Sequence, residues 1–305
     1  MSRILYYFVL LPLSWLPLWI LYGISEILYL VFLTIWPYRK KIIETNLKHS
    51  FPKLTDKELK YIRNDFYRHL SDLIAEGIKN LGMSEKELLT RVHVNNPELM
   101  EELAMKKKNI LLIGGHFGNW EWVITSQALL FKQHALGLGK PLTNRFLNQK
   151  INSLRGRFGM DIVHAKNYKE FIEKSYPNGF AMLTLSDQSP GDSLKSYWTF
   201  FLNQQTAVLY GSEQMAHNHD LAVVFFSMEK LKRGSYELHL ELICESPNKT
   251  QYGEITEKHT QLLQRQILKN PACWLWSHKR WKREVPEDVA SLMLKRKIEF
   301  DSKRI

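Results

Sequence analysis

The stretch Asn109-Ile-Leu-Leu-Ile-Gly-Gly-His-Phe-Gly-Asn-Trp-Glu-Trp122 decides how the chain folds. Its unbroken aliphatic run, Ile110–Ile113, predicts a short strand covered on both faces. Gly114 and Gly115 end that run in a turn that tolerates tight backbone geometry, and Trp120–Phe131 is long enough for a helix to follow. A strand feeding a helix through glycines opens an α/β unit, and open α/β sheets place their sites where strands end. His116 and Glu121 stand at that place. Histidine takes up a proton near neutral pH, and a carboxylate about one helical turn away can orient the ring and stabilise the imidazolium. With no serine or cysteine beside it, the histidine most simply activates a substrate's own hydroxyl. A histidine at a strand end also serves structurally, and these residues alone leave both readings open.

Working outward, strands are predicted at Met160–His164, Phe180–Leu185, Leu221–Met228 and Tyr236–Ile243, with helices at Pro141–Phe158, Tyr168–Tyr176 and Leu209–Asn218 between them. Upstream, Thr55-Asp-Lys-Glu58 and Ser84-Glu-Lys-Glu87 have the form of capping boxes that start amphipathic helices. The alternation predicts an α/β fold, a mostly parallel central sheet flanked by helices. No internal repeat or low-complexity linker interrupts it, so residues 39–305 form one domain.

Residues 1–38 are of another kind. From Ile4 to Trp36 the only ionisable side chain other than tyrosine is Glu26, and the run exceeds the roughly 20 apolar residues that a spanning helix needs. It is too long for the core of a cleaved signal peptide, and no small-x-small cleavage site follows. An uncleaved membrane anchor is expected, broken by Pro12 and Pro17, with its first part at the interface and Leu18–Trp36 crossing as a transmembrane helix. Trp15, Trp19 and Trp36 suit headgroup depth, and Arg39, Lys40 and Lys41 outweigh the lone Arg3, which places the body in the cytoplasm of a single-pass protein.

The net charge of +11 favours an anionic partner, and a membrane anchor on the same chain turns that preference toward lipid headgroups or an acidic protein and away from nucleic acid. Cys244 and Cys273, the two cysteines, have no paired spacing, so neither a disulfide framework nor a cysteine zinc site is predicted. His217-Asn-His-Asp220 has no second ligand cluster and reads as a helix-ending turn. No P-loop, G-x-S-x-G elbow or H-E-x-x-H helix occurs, and no metal or cofactor is expected. In the tail, Trp274, Trp276 and Trp281 interleave with His278, Lys279, Arg280, Lys282 and Arg283, a mixture suited to headgroups, lipid phosphates or an acidic carrier.

Gly115-His-Phe-Gly-Asn-Trp-Glu121 resembles the histidine-four-residues-acid signature of the late (secondary) lipid A acyltransferases of Gram-negative bacteria. The resemblance extends through the hydrophobic anchor, Asn46-Leu-Lys-His-Ser-Phe-Pro52, Gly156-Arg157, Ser186-Asp-Gln-Ser-Pro-Gly191 and Pro271-Ala-Cys-Trp-Leu-Trp-Ser-His-Lys-Arg-Trp-Lys282. Glycerolipid acyltransferases share the broader motif but usually carry asparagine before the histidine and aspartate as the acid; Gly115 and Glu121 favour the lipid A branch. The resemblance implies an inner-membrane enzyme of lipopolysaccharide biosynthesis. It would move a fatty acyl chain from an acyl carrier protein thioester to a hydroxyl of a lipid A precursor, with another lysolipid or an amino-acid lipid as the alternative acceptor. His116 would be the general base and Glu121 its partner, with Gly115, Asn119, Arg157, Asp187 and Gln188 binding substrate or the oxyanion. From the residues alone, Arg157 serves equally as a surface arginine at a helix end, and Asp187 as a cap or turn residue. Ser189-Pro190-Gly191 need not match the family's loop.

Overall fold

The structure is a computed structural model and describes residues 2–302. A seven-stranded sheet has the order β1-β9-β8-β2-β5-β3-β4. The strands are β1 (Val92–Val94), β2 (Ile110–Gly114), β3 (His134–Gly139), β4 (Asp161–His164), β5 (Phe180–Leu185), β8 (Ala222–Lys232) and β9 (Ser235–Cys244). All neighbours run parallel except β8 and β9, which are antiparallel. A separate hairpin joins β6 (Tyr197–Phe201) to β7 (Gln204–Val208). The α/β expectation, a mostly parallel sheet flanked by helices, is met.

β2 lies between β5 and β8 and is buried along its whole length, as an aliphatic strand covered on both faces must be. The register pairs Ile110 with Ala181 and Gly114 with Leu185, so β2 and β5 end level. Ser186 N–H continues the ladder to the Gly114 carbonyl at 3.0 Å. Residues two past each strand end, His116 and Asp187, are thereby brought side by side.

The apolar N-terminus forms two helices, α1 (Ser2–Ser14) and α2 (Leu18–Ile35), the second long and apolar enough by length and composition to cross a bilayer. Pro17 sits at the break and caps α2. α2 also packs on the body: Leu18 and Leu21 join the core beneath β1, and Phe32 joins a second core with Ile43, Phe66 and Tyr67. The long helix α3 (Asp56–Asn80) begins with a complete capping box, Thr55 accepting from Glu58 N–H while the Glu58 carboxylate accepts from Thr55 N–H at 2.7 Å. At Ser84 only half forms, the hydroxyl accepting from Glu87 N–H. Three further helices matter below: α4 (Trp120–Leu130), α5 (Arg145–Gly156) and α6 (Glu254–Lys269).

Candidate active site

Beyond β2 the chain makes an irregular turn before α4. A Cβ on Gly114 would run into the Phe226 ring, and one on Gly115 would lie 2.7 Å from Leu263 Cδ1. Packing from β8 thus accounts for glycine at position 114, and Gly115 sits close against Leu263 of α6. The turn's amides are committed within the protein: His116 N–H to Asp187 Oδ2 at 2.9 Å, Phe117 N–H to the Gly115 carbonyl at 2.8 Å, Gly118 N–H to the Cys273 carbonyl and Asn119 N–H to Met228 Sδ, both at 3.0 Å. None of these four points its N–H into an open oxyanion site.

The His116 ring is held by Asp187. Nδ1 lies 2.6 Å from Asp187 Oδ1, and Asp187 Oδ2 also accepts from Trp274 Nε1 at 2.8 Å. Burial pushes the Asp187 carboxyl upward, but the His116 charge and these hydrogen bonds outweigh it and hold the group well below the usual carboxylate range. Burial lowers the His116 pKa; the Asp187 charge and hydrogen bond, with the charge of Glu121 adding to them, reverse this and leave it above the ordinary 6.5. A proton on Nδ1 donated to the carboxylate leaves Nε2 as the basic nitrogen, and the Gln188 side-chain amide lies 3.2 Å from it. The edge of Trp120 closes one side of the ring, with centroids 5.1 Å apart.

Glu121, expected to orient the ring, instead grips Arg155 of α5 in a two-pronged ion pair, Nε to Oε2 at 3.0 Å and Nη2 to Oε1. It stands in the first turn of α4, where the helix dipole favours a carboxylate, and reaches His116 through its field rather than by a hydrogen bond. Asn119 is fully engaged in structure: its side-chain oxygen caps α4 by accepting from Trp122 N–H at 3.1 Å, and its amide donates to buried Glu76 at 2.6 Å. Arg157, expected near the reacting carbonyl, turns to the end of α3, with Nη2 3.2 Å from Asn80 Oδ1 and Nη1 3.4 Å from the Leu81 carbonyl. Sequence reasoning missed Arg155, two residues earlier in the same Leu154–Gly159 segment. The tail corrects a further expectation: Trp274 and Trp276 are buried core, Arg280 is buried with Nη1 2.7 Å from the Ala207 carbonyl, and His278 Nε2 accepts from Ser189 N–H at 3.1 Å. Burial first, with the neighbouring Arg280 charge, pushes His278 down to about 4. The aromatics and Arg280 of the segment thus pack into the body around the site, while Lys279 and Lys282 stay exposed.

A histidine at a central strand end, with Nδ1 on a buried carboxylate and Nε2 beside the Gln188 amide, is an arrangement that can serve general-base chemistry on an α/β fold. The profile of the family described as "Bacterial lipid A biosynthesis acyltransferase" matches residues 2–283, and the chain belongs to that family. It is 22% identical to the lipid A biosynthesis lauroyltransferase of Escherichia coli K12, with 83% of this chain and 82% of that one covered. It is also 22% identical to the lipid A biosynthesis acyltransferase of Haemophilus influenzae, with 83% and 81% covered. The chain is therefore an acyltransferase of lipid A biosynthesis type.

Proposed function

We propose that the enzyme transfers a fatty acyl chain from an acyl carrier protein thioester to a hydroxyl of a lipid A precursor at the cytoplasmic face of the inner membrane, with His116 as general base. The observation that carries this reading is the His116–Asp187 pair, Nδ1 to Oδ1 at 2.6 Å, within a chain of this family. His116 Nε2 takes the proton of the acceptor hydroxyl as its oxygen attacks the thioester carbonyl; on collapse the carbon–sulfur bond breaks and the imidazolium returns the proton to the departing thiolate. Asp187 fixes the tautomer and stabilises the imidazolium, in the place first assigned to Glu121. Glu121 adds negative charge and holds Arg155 beside the site. The amides of residues 116–119 are engaged elsewhere; the Gln188 amide, which has a second N–H beyond its contact with His116, and the Arg155 Nη1 group, which is not in the pair with Glu121, are the side-chain donors assigned to the developing oxyanion. No step needs a metal or a covalent enzyme intermediate.

Purified enzyme given acyl carrier protein thioesters of several chain lengths, with lipid A precursors, lysophospholipids and amino-acid lipids offered together, tests the reading by mass spectrometry of the products. The expected product is a lipid A precursor heavier by one acyl chain. Acylation of another lipid in its place, with the precursor untouched, overturns the acceptor assignment and leaves the base in place.

A further inference from the structure

α2 is fastened to α3 along its length. Tyr22 Oη donates to Glu76 Oε1 at 2.8 Å, Ser25 Oγ donates to Asp72 Oδ1 at 3.1 Å, the Arg68 guanidinium lies 4.5 Å from the Tyr29 ring centroid, and Phe32 packs on Tyr67 with centroids 5.9 Å apart. Going up α2 the partners go down α3, so the helices run antiparallel with one face of α2 against the body. Glu26, the lone charge of the apolar run, meets Arg233 in the β8–β9 turn at 2.8 Å, and Arg233 also holds Asp72 at 2.6 Å. The partner helix reads Asp56-Lys-Glu-Leu-Lys-Tyr-Ile-Arg-Asn-Asp-Phe-Tyr-Arg-His-Leu-Ser-Asp72 over most of its course, a sequence that hydrocarbon does not accept. Were α2 to cross a bilayer while so docked, α3 and the β8–β9 turn would have to enter with it. Were it to leave the body, Glu76 would lose the Tyr22 hydroxyl, Asp72 would lose the Ser25 hydroxyl, and Leu18, Leu21 and Phe32 would be withdrawn from the core.

The opposite face of α2 is apolar and open: Trp19, Ile27 and Leu30 are 74, 65 and 55% exposed, at the spacing of one helical stripe. Ile4 and Phe8 of α1, and Trp15 just after it, are similarly exposed. α1 too lies against the body, Tyr6 on Phe146 of α5 with centroids 5.7 Å apart and Ser2 Oγ 3.0 Å from Asn144 Nδ2. Cations flank the apolar stretch at both ends, Arg3 before it and Arg39, Lys40 and Lys41 after it, all exposed. An apolar stripe bordered by exposed cations suits the surface of an anionic phospholipid bilayer, with the apolar side chains below the headgroups and the cations among them.

We propose that α1 and α2 form an in-plane membrane seat, in which the outward stripe enters one leaflet and the N-terminus stays on the same side as the catalytic body. The inference does not rest on the acyl-transfer reading, and its test works as well in an inactive His116→Ala protein. Full-length Arg3→Cys and, separately, Lys249→Cys proteins are treated in spheroplasts with a membrane-impermeant maleimide, before and after permeabilisation, with the unsubstituted chain as background. In the seat, both introduced thiols react only after permeabilisation. Reaction at position 3 in intact spheroplasts, with position 249 still protected, means that α2 crosses and overturns the proposal. A second measurement is independent of labelling. Leu21→Ala, on the docked face, should lower the Tm of the detergent-purified protein by about 5 °C or more, as for a core leucine. Ile27→Glu with Leu30→Glu should leave Tm nearly unchanged and reduce flotation with phosphatidylglycerol-containing vesicles about tenfold. An unchanged Tm for Leu21→Ala, or unaltered flotation of the Ile27→Glu, Leu30→Glu protein with loss of self-association in its place, would overturn the seat.

Discussion

Asp187 accepts from the His116 ring, the His116 amide and the Trp274 indole, and this concentration of donors on one carboxylate gives residue-scale predictions with definite signs. His116→Ala should lower turnover by roughly two to four orders of magnitude in a protein that stays folded, measured with the carrier thioester. Asp187→Asn keeps the shape but removes the charge and upsets the tautomer, so a comparable loss is expected, larger than that of Glu121→Gln, whose carboxylate binds Arg155. The base must be neutral to act, so kcat/KM should rise with pH through a midpoint above the ordinary 6.5. That midpoint exists because Asp187 overcomes burial; in Asp187→Asn its charge is lost while burial remains, opposed by the more distant Glu121 charge, and the midpoint should fall. An Asp187→Asn profile that keeps the wild-type midpoint would refute the pairing. Stability has its own window. The depressed Asp187 carboxyl stabilises above its unfolded value of 3.8 and loses this as pH falls through its folded pKa; the raised His116 stabilises below 6.5 and loses this as pH rises through its folded pKa. The urea midpoint of wild type should therefore exceed that of Asp187→Asn most between pH 3.8 and 6.5.

At the scale of elements, β2 and the turn after it owe their position to contacts on both faces. A Cβ at Gly114 would overlap the Phe226 ring of β8, itself only 3% exposed. Gly114→Ala should cost about 1–3 kcal/mol by overpacking, and Phe226→Leu should recover part of this in the double variant, a coupling read from urea denaturation of all four proteins. Purely additive losses would mean that the glycine matters for another reason. The elements legible in the sequence are those with strong local signals: Phe180–Leu185 is a strand at its expected limits, β2 differs by one residue, and the Thr55 box caps α3 as expected. β3 was missed because His134-Ala-Leu-Gly-Leu-Gly139 carries two glycines, and β1 because three residues show no periodicity. The β6–β7 hairpin turns through Leu202 and Asn203, both at positive φ, in place of the usual Asn-Gly, and the chain tolerates leucine there because it is buried while its amide reaches Gln264 at 2.6 Å. For the site, His116 and Asp187 were each legible as site residues but their pairing was not, since it follows from the β2–β5 register. Five positions along the chain put Glu121 within a turn of the histidine, whereas Asp187 becomes its neighbour only once two strands from distant segments end level. The tail tryptophans misled for a similar reason, because aromatics beside cations look interfacial until the fold buries them.

At the scale of the whole molecule, the excess of 42 Lys and Arg over 31 Asp and Glu gives the protein a net charge of +11 and a field that favours anionic partners. Several of the cations are already neutralised locally, Arg155 by Glu121 and Arg233 by Asp72 and Glu26. Exposed Lys57, Lys279 and Lys282 are among those that project into solvent and feel an approaching acidic protein. An acyl carrier protein donor would be drawn in by that field, and screening should weaken the attraction as the Debye length falls from about 10 Å at 0.1 M salt to about 3 Å at 1 M. The apparent KM for the carrier thioester should therefore rise with ionic strength while kcat, set by chemistry at His116, stays nearly constant. An uncharged acyl-pantetheine carrying the same chain provides the control, because it has the reacting thioester without the acidic protein and its KM should be almost flat over the same range. The comparison is made with the acceptor lipid in uncharged detergent micelles, so that salt does not act through membrane binding. A parallel rise in KM for both donors would trace the salt effect to the enzyme or the acceptor, and an equal rate with acyl coenzyme A at matched concentration would count against a dedicated carrier protein.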